Sequence, residues 1–184
     1  DSSIGEGSVI ISDIGGGSTE IIKGDKGCFL GAVSLPVGSV KLTEMFVKND
    51  PPTINELEAL RDYVLGLLDT PFCAGIIPDI FVGTGGTVTI VAGIIKGLQT
   101  FEKEKVHGCK IKLNDIKALI AELKRLTSHE RVMIKGMEIG REDILLQGTI
   151  LLEEIMKRFE KDEMLVSANG VRYGVIFEAL GKIS

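Results

Sequence analysis

Apolar and polar positions fall into two rhythms along the chain. The first part carries short aliphatic runs closed by glycine or proline, which predict strands over 8–13, 18–23 and 28–35. Glycine corners at 15–17 and 24–27 fold these three strands into an antiparallel meander. Helical spacing then takes over. Residues 40–46 read as amphipathic, and a break follows at Asn49-Asp50-Pro51-Pro52. Thr53, with Glu56 three residues later, forms a capping box that opens a helix reaching Leu68. A short buried strand over 80–82 leads into a second glycine stretch and a helix over 88–95. A strand-like segment over 106–113 precedes a helix capped by Asn114 and running to Leu126. The longest helix is expected over 141–159, with Ile144, Leu145, Ile150, Leu151 and Ile155 as its core stripe. A strand over 164–167, a turn at Asn169-Gly170 and a last helix over 171–180 complete the order. Antiparallel strands followed by β–α units predict an α/β fold, a mixed sheet with helices on both faces.

Composition narrows the function classes. The chain has 184 residues, enough for one compact lobe, and no short-period repeat or linker divides it. Its 44% hydrophobic and 26% charged residues suit a water-soluble core. No apolar run approaches the ~20 residues that cross a bilayer, so no membrane association is expected. A net charge of −5 argues against nucleic acid as a partner, because basic patches must meet its phosphates. Lysines and arginines interleave with acids, as on solvated helices. Cys28, Cys73 and Cys109 are widely spaced and odd in number, which reads as reduced core thiols in a cytoplasmic protein. His107 and His129 have no ligand-like spacing to them, which argues against zinc, and His107 is read as structural. The chain opens on Asp1 rather than Met and enters a strand within a few residues, so a piece of a longer protein is expected.

Two glycine loops carry the chemistry. The first is Asp13-Ile14-Gly15-Gly16-Gly17-Ser18-Thr19-Glu20. Three successive glycines cost backbone entropy and exceed what a hairpin corner needs. They clear the corner of side chains, so that N–H groups can approach phosphate oxygens, with the Ser18 and Thr19 hydroxyls as added donors. Asp13 and Glu20 end and resume the two strands, so a tight hairpin brings both carboxylates to one opening. Hard oxygens in that position suit Mg²⁺, with Ca²⁺ or Mn²⁺ as substitutes. The second loop, Gly83-Thr84-Gly85-Gly86-Thr87, follows a buried strand and opens a helix, where amides and the helix dipole meet an anion. Arg141 and Arg172 could also contact phosphate; for Arg141 pairing with a nearby acid is the leading expectation, and Arg172 is left open between the two.

The first loop resembles the second phosphate-binding motif of the exopolyphosphatase and guanosine pentaphosphate phosphohydrolase family (Ppx/GppA), within the superfamily of sugar kinases, actin and heat-shock chaperones. Gly83–Thr87 resembles the glycine loop that follows in that family. The likeness continues through Leu35-Pro36-Val37-Gly38-Ser39, through Gly140-Arg141-Glu142-Asp143, with Glu142 in place of Ala, and through Ser167-Ala168-Asn169-Gly170-Val171-Arg172-Tyr173-Gly174. Tyr173 stands where the family often has Glu. The resemblance implies a ribonuclease-H-like fold and makes residues 1–184 the second lobe of a two-lobed, actin-like protein. It implies Mg²⁺-assisted cleavage of a terminal phosphoanhydride in polyphosphate, or of the 5′ γ-phosphate of guanosine pentaphosphate. It places Asp13 and Glu20 near metal and attacking water, and Gly15, Gly16, Gly17 and Ser18 on phosphate. The base that activates water would lie in the first lobe, so this lobe alone is expected to turn over little. A homodimer is an admissible assembly. Tyr173 keeps a non-catalytic phosphate or nucleotide sensor open, and a small-molecule kinase lobe is a further alternative.

Overall fold

The computed structural model describes residues 7–100 and 102–170, so the helix expected over 171–180, with Arg172 and Tyr173, lies outside them. The described residues form strands β1 (Ser8–Ile14), β2 (Thr19–Asp25), β3 (Cys28–Leu35), β4 (Ile80–Thr84), β5 (Lys110–Lys112) and β6 (Glu163–Val166). They also form helices α1 (Ser39–Phe46), α2 (Ile54–Leu68), α3 (Gly86–Ile95), α4 (Lys103–Val106), α5 (Leu113–Leu123), α6 (Ser128–Arg131) and α7 (Leu145–Arg158). The sheet order is β3-β2-β1-β4-β6-β5. The first three strands are the expected antiparallel meander. β4 pairs parallel with both β1 and β6, and β5 closes the far edge antiparallel to β6.

Strand alternation decides which residues are core and which are free for chemistry. Ile10, Ile14, Ile21, Phe81, Met164 and Val166 point to one face and join the main apolar cluster with the helices. α7 is the central helix, touching α1, α2, α3 and α5. All its residues from Leu145 to Met156 are buried, among them Leu145, Ile150, Leu151 and Ile155 of the expected stripe, but the burial also takes in the polar Gln147, Thr149, Glu153 and Glu154.

Several boundaries depart from the sequence reading for local reasons. The segment over 106–113 splits: Val106 closes α4, Gly108 takes a positive φ of 74°, and only three residues reach the sheet. α5 begins at Leu113, whose N–H donates to the Asp162 carbonyl (2.8 Å), so Asn114 sits inside the helix and is not its cap. α7 begins at Leu145 rather than 141, after Gly140 at φ 86° and a turn through Arg141. Cys28 is exposed on the edge strand, unlike the buried Cys73.

The charges are less uniformly solvated than their interleaving suggests. Glu153 and Glu154 are buried side by side on α7. Arg61 of α2 binds both, and Lys157 Nζ reaches Glu153 Oε1 at 2.7 Å and Glu154 Oε1 at 3.2 Å. Arg131, 1% exposed, donates to the Leu123 and Glu142 carbonyls, tying the end of α5 to the turn before α7. Removing one partner from a buried ion cluster leaves a carboxylate uncompensated. Arg61→Met is therefore expected to destabilise the protein by about 3 kcal/mol in urea denaturation; an unchanged midpoint would show the network to be dispensable.

The capping box of α2 is present as expected: Glu56 N–H donates to Thr53 Oγ1, and the Thr53 N–H donates to the Glu56 carboxylate (2.7 Å). Lys48 N–H, Asn49 N–H and the Asn49 amide add donors to the same side chain. The Thr53 backbone bond is the largest influence in lowering the Glu56 pKa to about 2. A depressed carboxylate pKa stabilises the fold above the unfolded value of 4.5 and loses that contribution as pH falls toward 2. Glu56→Gln should flatten the acid limb of the stability profile between those pH values, and an unaltered limb would count against this assignment.

Candidate functional site

β1 and β4 are parallel neighbours with Asp13 in register with Thr84, so their carboxyl ends open at the same edge of the sheet. β1 turns there into the first glycine loop, and β4 into the second. Ligands of open α/β sheets lie outside such carboxyl ends.

The first loop is held from behind by α1. Gly15 N–H donates to the Ser18 carbonyl (3.0 Å) and closes the corner. The Gly15 carbonyl accepts from Ser39 N–H (3.1 Å), and the Gly16 carbonyl from Val40 (3.0 Å) and Lys41 (3.1 Å). The amino-terminal amides of α1 are thus satisfied by the loop. In a planar trans peptide the C=O and N–H point opposite ways. Turning the carbonyls of Gly15 and Gly16 toward α1 therefore turns the N–H groups of Gly16 and Gly17 away from it. Among the described residues, these two amides and that of Ser18 donate to no protein acceptor. Gly38 makes this close approach possible: a Cβ there would lie 2.5 Å from Gly15 O, Gly16 C and Gly16 O.

The two acids are cross-strand partners, Asp13 opposite Glu20, and share the sheet face away from the main apolar cluster. Ser34, the β3 partner of Glu20, donates to Glu20 Oε1 (2.9 Å), as does the Ser18 hydroxyl (2.9 Å). Glu20 is thereby held in one orientation, while Oε2 accepts no hydrogen bond among the described residues. Asp13 meets the second loop. A Cβ on Gly85 would stand 2.7 Å from Asp13 Oδ1 and 2.6 Å from the Ile14 carbonyl, and Gly85 has φ 95°. Only glycine combines that conformation with that contact.

The second loop places the first-turn amides of α3 beside this carboxylate, with no acid in the first turn to compete for them. Arg141 supplies positive charge: its Nη2 would lie 3.6 Å from a Cβ on Gly86. Among the described residues it pairs with no acid, so the expected ion pair does not form among them. α7 backs both loops through Gly148, whose Cβ position is 2.7 Å from Thr87 Cγ2 and 3.0 Å from Ser39 Cβ.

Three sequence candidates play supporting parts. Thr19 is buried and its hydroxyl donates to the Val37 carbonyl (2.7 Å), which removes it as a phosphate donor. Thr87 is buried against Gly148. Gly83 faces the core, where a Cβ would meet Met164 Sδ at 2.9 Å, so it is a packing glycine. His107 Nδ1 accepts from Ala168 N–H (3.3 Å), a structural place as expected. The Gly15 amide is taken by the Ser18 carbonyl, so the candidates that the geometry leaves at this opening are Asp13, Gly16, Gly17, Ser18, Glu20, Gly85, Gly86 and Arg141. Ser34 and Gly148 carry no pattern in the sequence, and Gly38 stands there only within the Leu35–Ser39 resemblance, with no role of its own. Among the described residues no group of three or more His, Cys, Asp or Glu side chains could hold a metal. The Asp13–Glu20 pair is a two-carboxylate set, which fits an ion that completes its shell with water and phosphate oxygens.

The Ppx/GppA phosphatase family matches residues 2–183. Exopolyphosphatase 2 of Mycobacterium tuberculosis is 26% identical over 94% of the chain and 56% of its own length. Guanosine-5′-triphosphate,3′-diphosphate pyrophosphatase of Vibrio atlanticus is 30% identical over 95% of the chain and 34% of its own length. The crystal structure of the Aquifex aeolicus Ppx/GppA family member superposes with a TM-score of 0.89 at 34% identity, over 97% of this chain and 57% of that one. The fold is therefore the actin-like α/β fold of that family. The chain spans about half the length of the exopolyphosphatase and of the crystallised relative.

Gly38→Ala should destabilise the protein by about 2–3 kcal/mol, since the added methyl meets backbone that cannot rotate away. Gly66→Ala, on an exposed turn of α2 with nothing within 4 Å, should instead be neutral or stabilising by up to ~1 kcal/mol. Chemical denaturation of the two variants side by side checks the contrast; equal midpoints would mean that the corner yields.

Proposed function

The chain belongs to the Ppx/GppA phosphatase family, and on that basis we propose that it forms the second lobe of a phosphohydrolase acting on terminal phosphoanhydrides. The substrate class is inorganic polyphosphate or the 5′ γ-phosphate of guanosine pentaphosphate. The observation that carries this reading is the convergence of both glycine loops on Asp13, with Glu20 directly across the hairpin.

In this reading the terminal phosphoryl oxygens rest on the amides of Gly16, Gly17 and Ser18 and face the amino end of α3. Arg141 offsets their charge from the α3 side. Water adds to the terminal phosphorus while the bridging P–O bond breaks, and the departing phosphate oxygen keeps the electron pair and takes up a proton. Asp13 and Glu20 orient the water and hold the divalent ion. Mg²⁺, or Ca²⁺ or Mn²⁺ in its place, neutralises charge on the phosphate oxygens when bound. The remaining lobe of the full-length protein closes the cleft, excludes bulk water and supplies the general base. A cytoplasmic setting accords with three cysteines that form no disulfide. No helix of the described residues is long and apolar enough to cross a membrane. The relatives' names favour hydrolysis over a sensor or a kinase lobe.

Phosphate release by the full-length protein, from polyphosphate and from guanosine pentaphosphate, with and without chelator, tests the reading. Asp13→Asn and Glu20→Gln should each lower kcat by about 100-fold or more, and Arg141→Ala should raise KM by about ten-fold. Wild-type rates in both carboxylate variants would remove the assigned roles.

A further inference from the structure

The two edges of the sheet are built differently. At one edge β5 has only three residues, and its Lys110 and Lys112 are exposed. A short edge strand flanked by lysines resists pairing with another chain. At the other edge β3 runs over eight residues, Cys28–Leu35, and carries no charge and no proline. None of residues 27–40 is charged. Cys28, Phe29, Leu30, Ala32 and Ser34 are exposed, Phe29 at 72% and Leu30 at 66%. Among the described residues no strand pairs with the outer edge of β3, so every second residue there turns its N–H and C=O away from the sheet.

β3 has one irregularity. Lys23 faces Gly31 and Gly24 faces Phe29, so Leu30 is an extra residue that bulges from the ladder. The bulge lies at the hairpin end. From Gly31 to Leu35 the strand pairs with β2 residue for residue, and the middle of that stretch is Val33. A two-fold axis at Val33 sets the whole stretch against its own copy: Val33 on Val33, Ala32 on Ser34 and Gly31 on Leu35. Alternation puts Ala32 and Ser34 on one face and Val33 on the other. Ala32 and Ser34 are small, so no bulk collides on their face, and opposed valines are favourable cross-strand neighbours. The same register brings the exposed Leu30 alongside Pro36 of the partner, also exposed, and takes apolar surface from water. A two-fold contact sets like residues near each other, which a charged strand would resist and this neutral one does not.

We infer that two copies of this chain pair antiparallel along β3, so that their sheets continue as one across a two-fold axis. The contrast between the edges selects this occupant. Growth from β3 of one copy onto β5 of the next would not close and would build filaments. The lysines and the shortness of β5 bar it. Joining β3 to β3 uses the uncharged edge of each copy and closes at two. The seam also runs beside the candidate site, because Ser34, which donates to Glu20 Oε1, lies within it. Pairing therefore restrains the strand that steadies Glu20. Residues 30–36 at ~3.4 Å each span about 24 Å. That is a seam at the small end of specific interfaces, so the dimer assembles reversibly with concentration. The inference stands without the phosphohydrolase reading, since no ligand enters it.

Analytical ultracentrifugation of the full-length protein, over a range from about 1 to about 100 μM, tests it. The wild type should pass from the mass of one copy to that of two. Leu30→Lys combined with Ala32→Lys copies the protection of β5 onto β3 at two exposed positions. This variant should raise the dissociation constant by about 100-fold or more while keeping the circular dichroism of the wild type. A second readout does not depend on weakening the contact. Val33→Cys, in a Cys28→Ser background, should form an interchain disulfide on mild oxidation, because directly opposed Cα atoms lie within disulfide reach. Cys28→Ser alone should not. A wild type that stays at the mass of one copy throughout overturns the inference. So does a lysine variant that dimerises as well as the wild type, which would place the contact elsewhere. A Val33→Cys protein that crosslinks no more than Cys28→Ser alone overturns it as well.

Discussion

The arrangement depends on a contact between backbones: α1 starts directly on the carbonyls of the first glycine corner. Three N–H groups, of Ser39, Val40 and Lys41, meet the oxygens of Gly15 and Gly16. A helix start normally leaves its first amides to a side-chain cap, water or a ligand. Here they are spent on the loop, and Gly38, lacking a side chain, lets the two segments close to van der Waals limits. The corner's own amides are what remains to meet a ligand. The proposed anion site is therefore built indirectly, with one helix start consumed to orient the peptides of another segment.

The remaining geometry follows from strand pairing. Parallel pairing of β1 with β4 brings two loops from distant parts of the sequence to one edge, and antiparallel pairing of β1 with β2 sets Asp13 across from Glu20. Strand alternation sends both acids to the face opposite Ile10, Ile14 and Ile21. The carboxylates therefore occupy positions that core packing does not claim. Glu20 is steadied by two hydroxyls and Asp13 is approached by bare backbone at Gly85, so the two acids experience different surroundings although they stand side by side.

Much of this was legible in the sequence because glycine runs, aliphatic runs and a capping box are local signals. The meander, the α2 start at Thr53 and Glu56, the core stripe of α7 and the two loops required no partner from elsewhere in the chain. Gly38 and Gly148 matter as much as the triple glycine, yet each is a single residue whose neighbour lies more than twenty positions away. Arg141 was ambiguous for the same reason, because its place beside Gly86 is a tertiary fact. Thr19 and Gly83 lie inside loop motifs and so read as ligand contacts, but strand alternation points one at Val37 and the other into the core. The buried pairing of Arg61 with Glu153 and Glu154 was masked by ordinary charge interleaving, which looks the same on a solvated helix.

The contact of Gly148 with Thr87 and Ser39 gives the site a fixed gauge. One α carbon of the central helix abuts the helix start of the second loop and the helix start that carries the first. A spacer made of a long side chain would offer several lengths, one for each rotamer it could sample. Gly148 adds no side chain of its own, and it meets the Cβ of Ser39 and the short side chain of Thr87, β-branched and stiff at χ1, so few lengths are open in an interior that resists compression. The gap between the two loops is thus a property of hard contact rather than of a populated conformer, and its width should vary little with temperature.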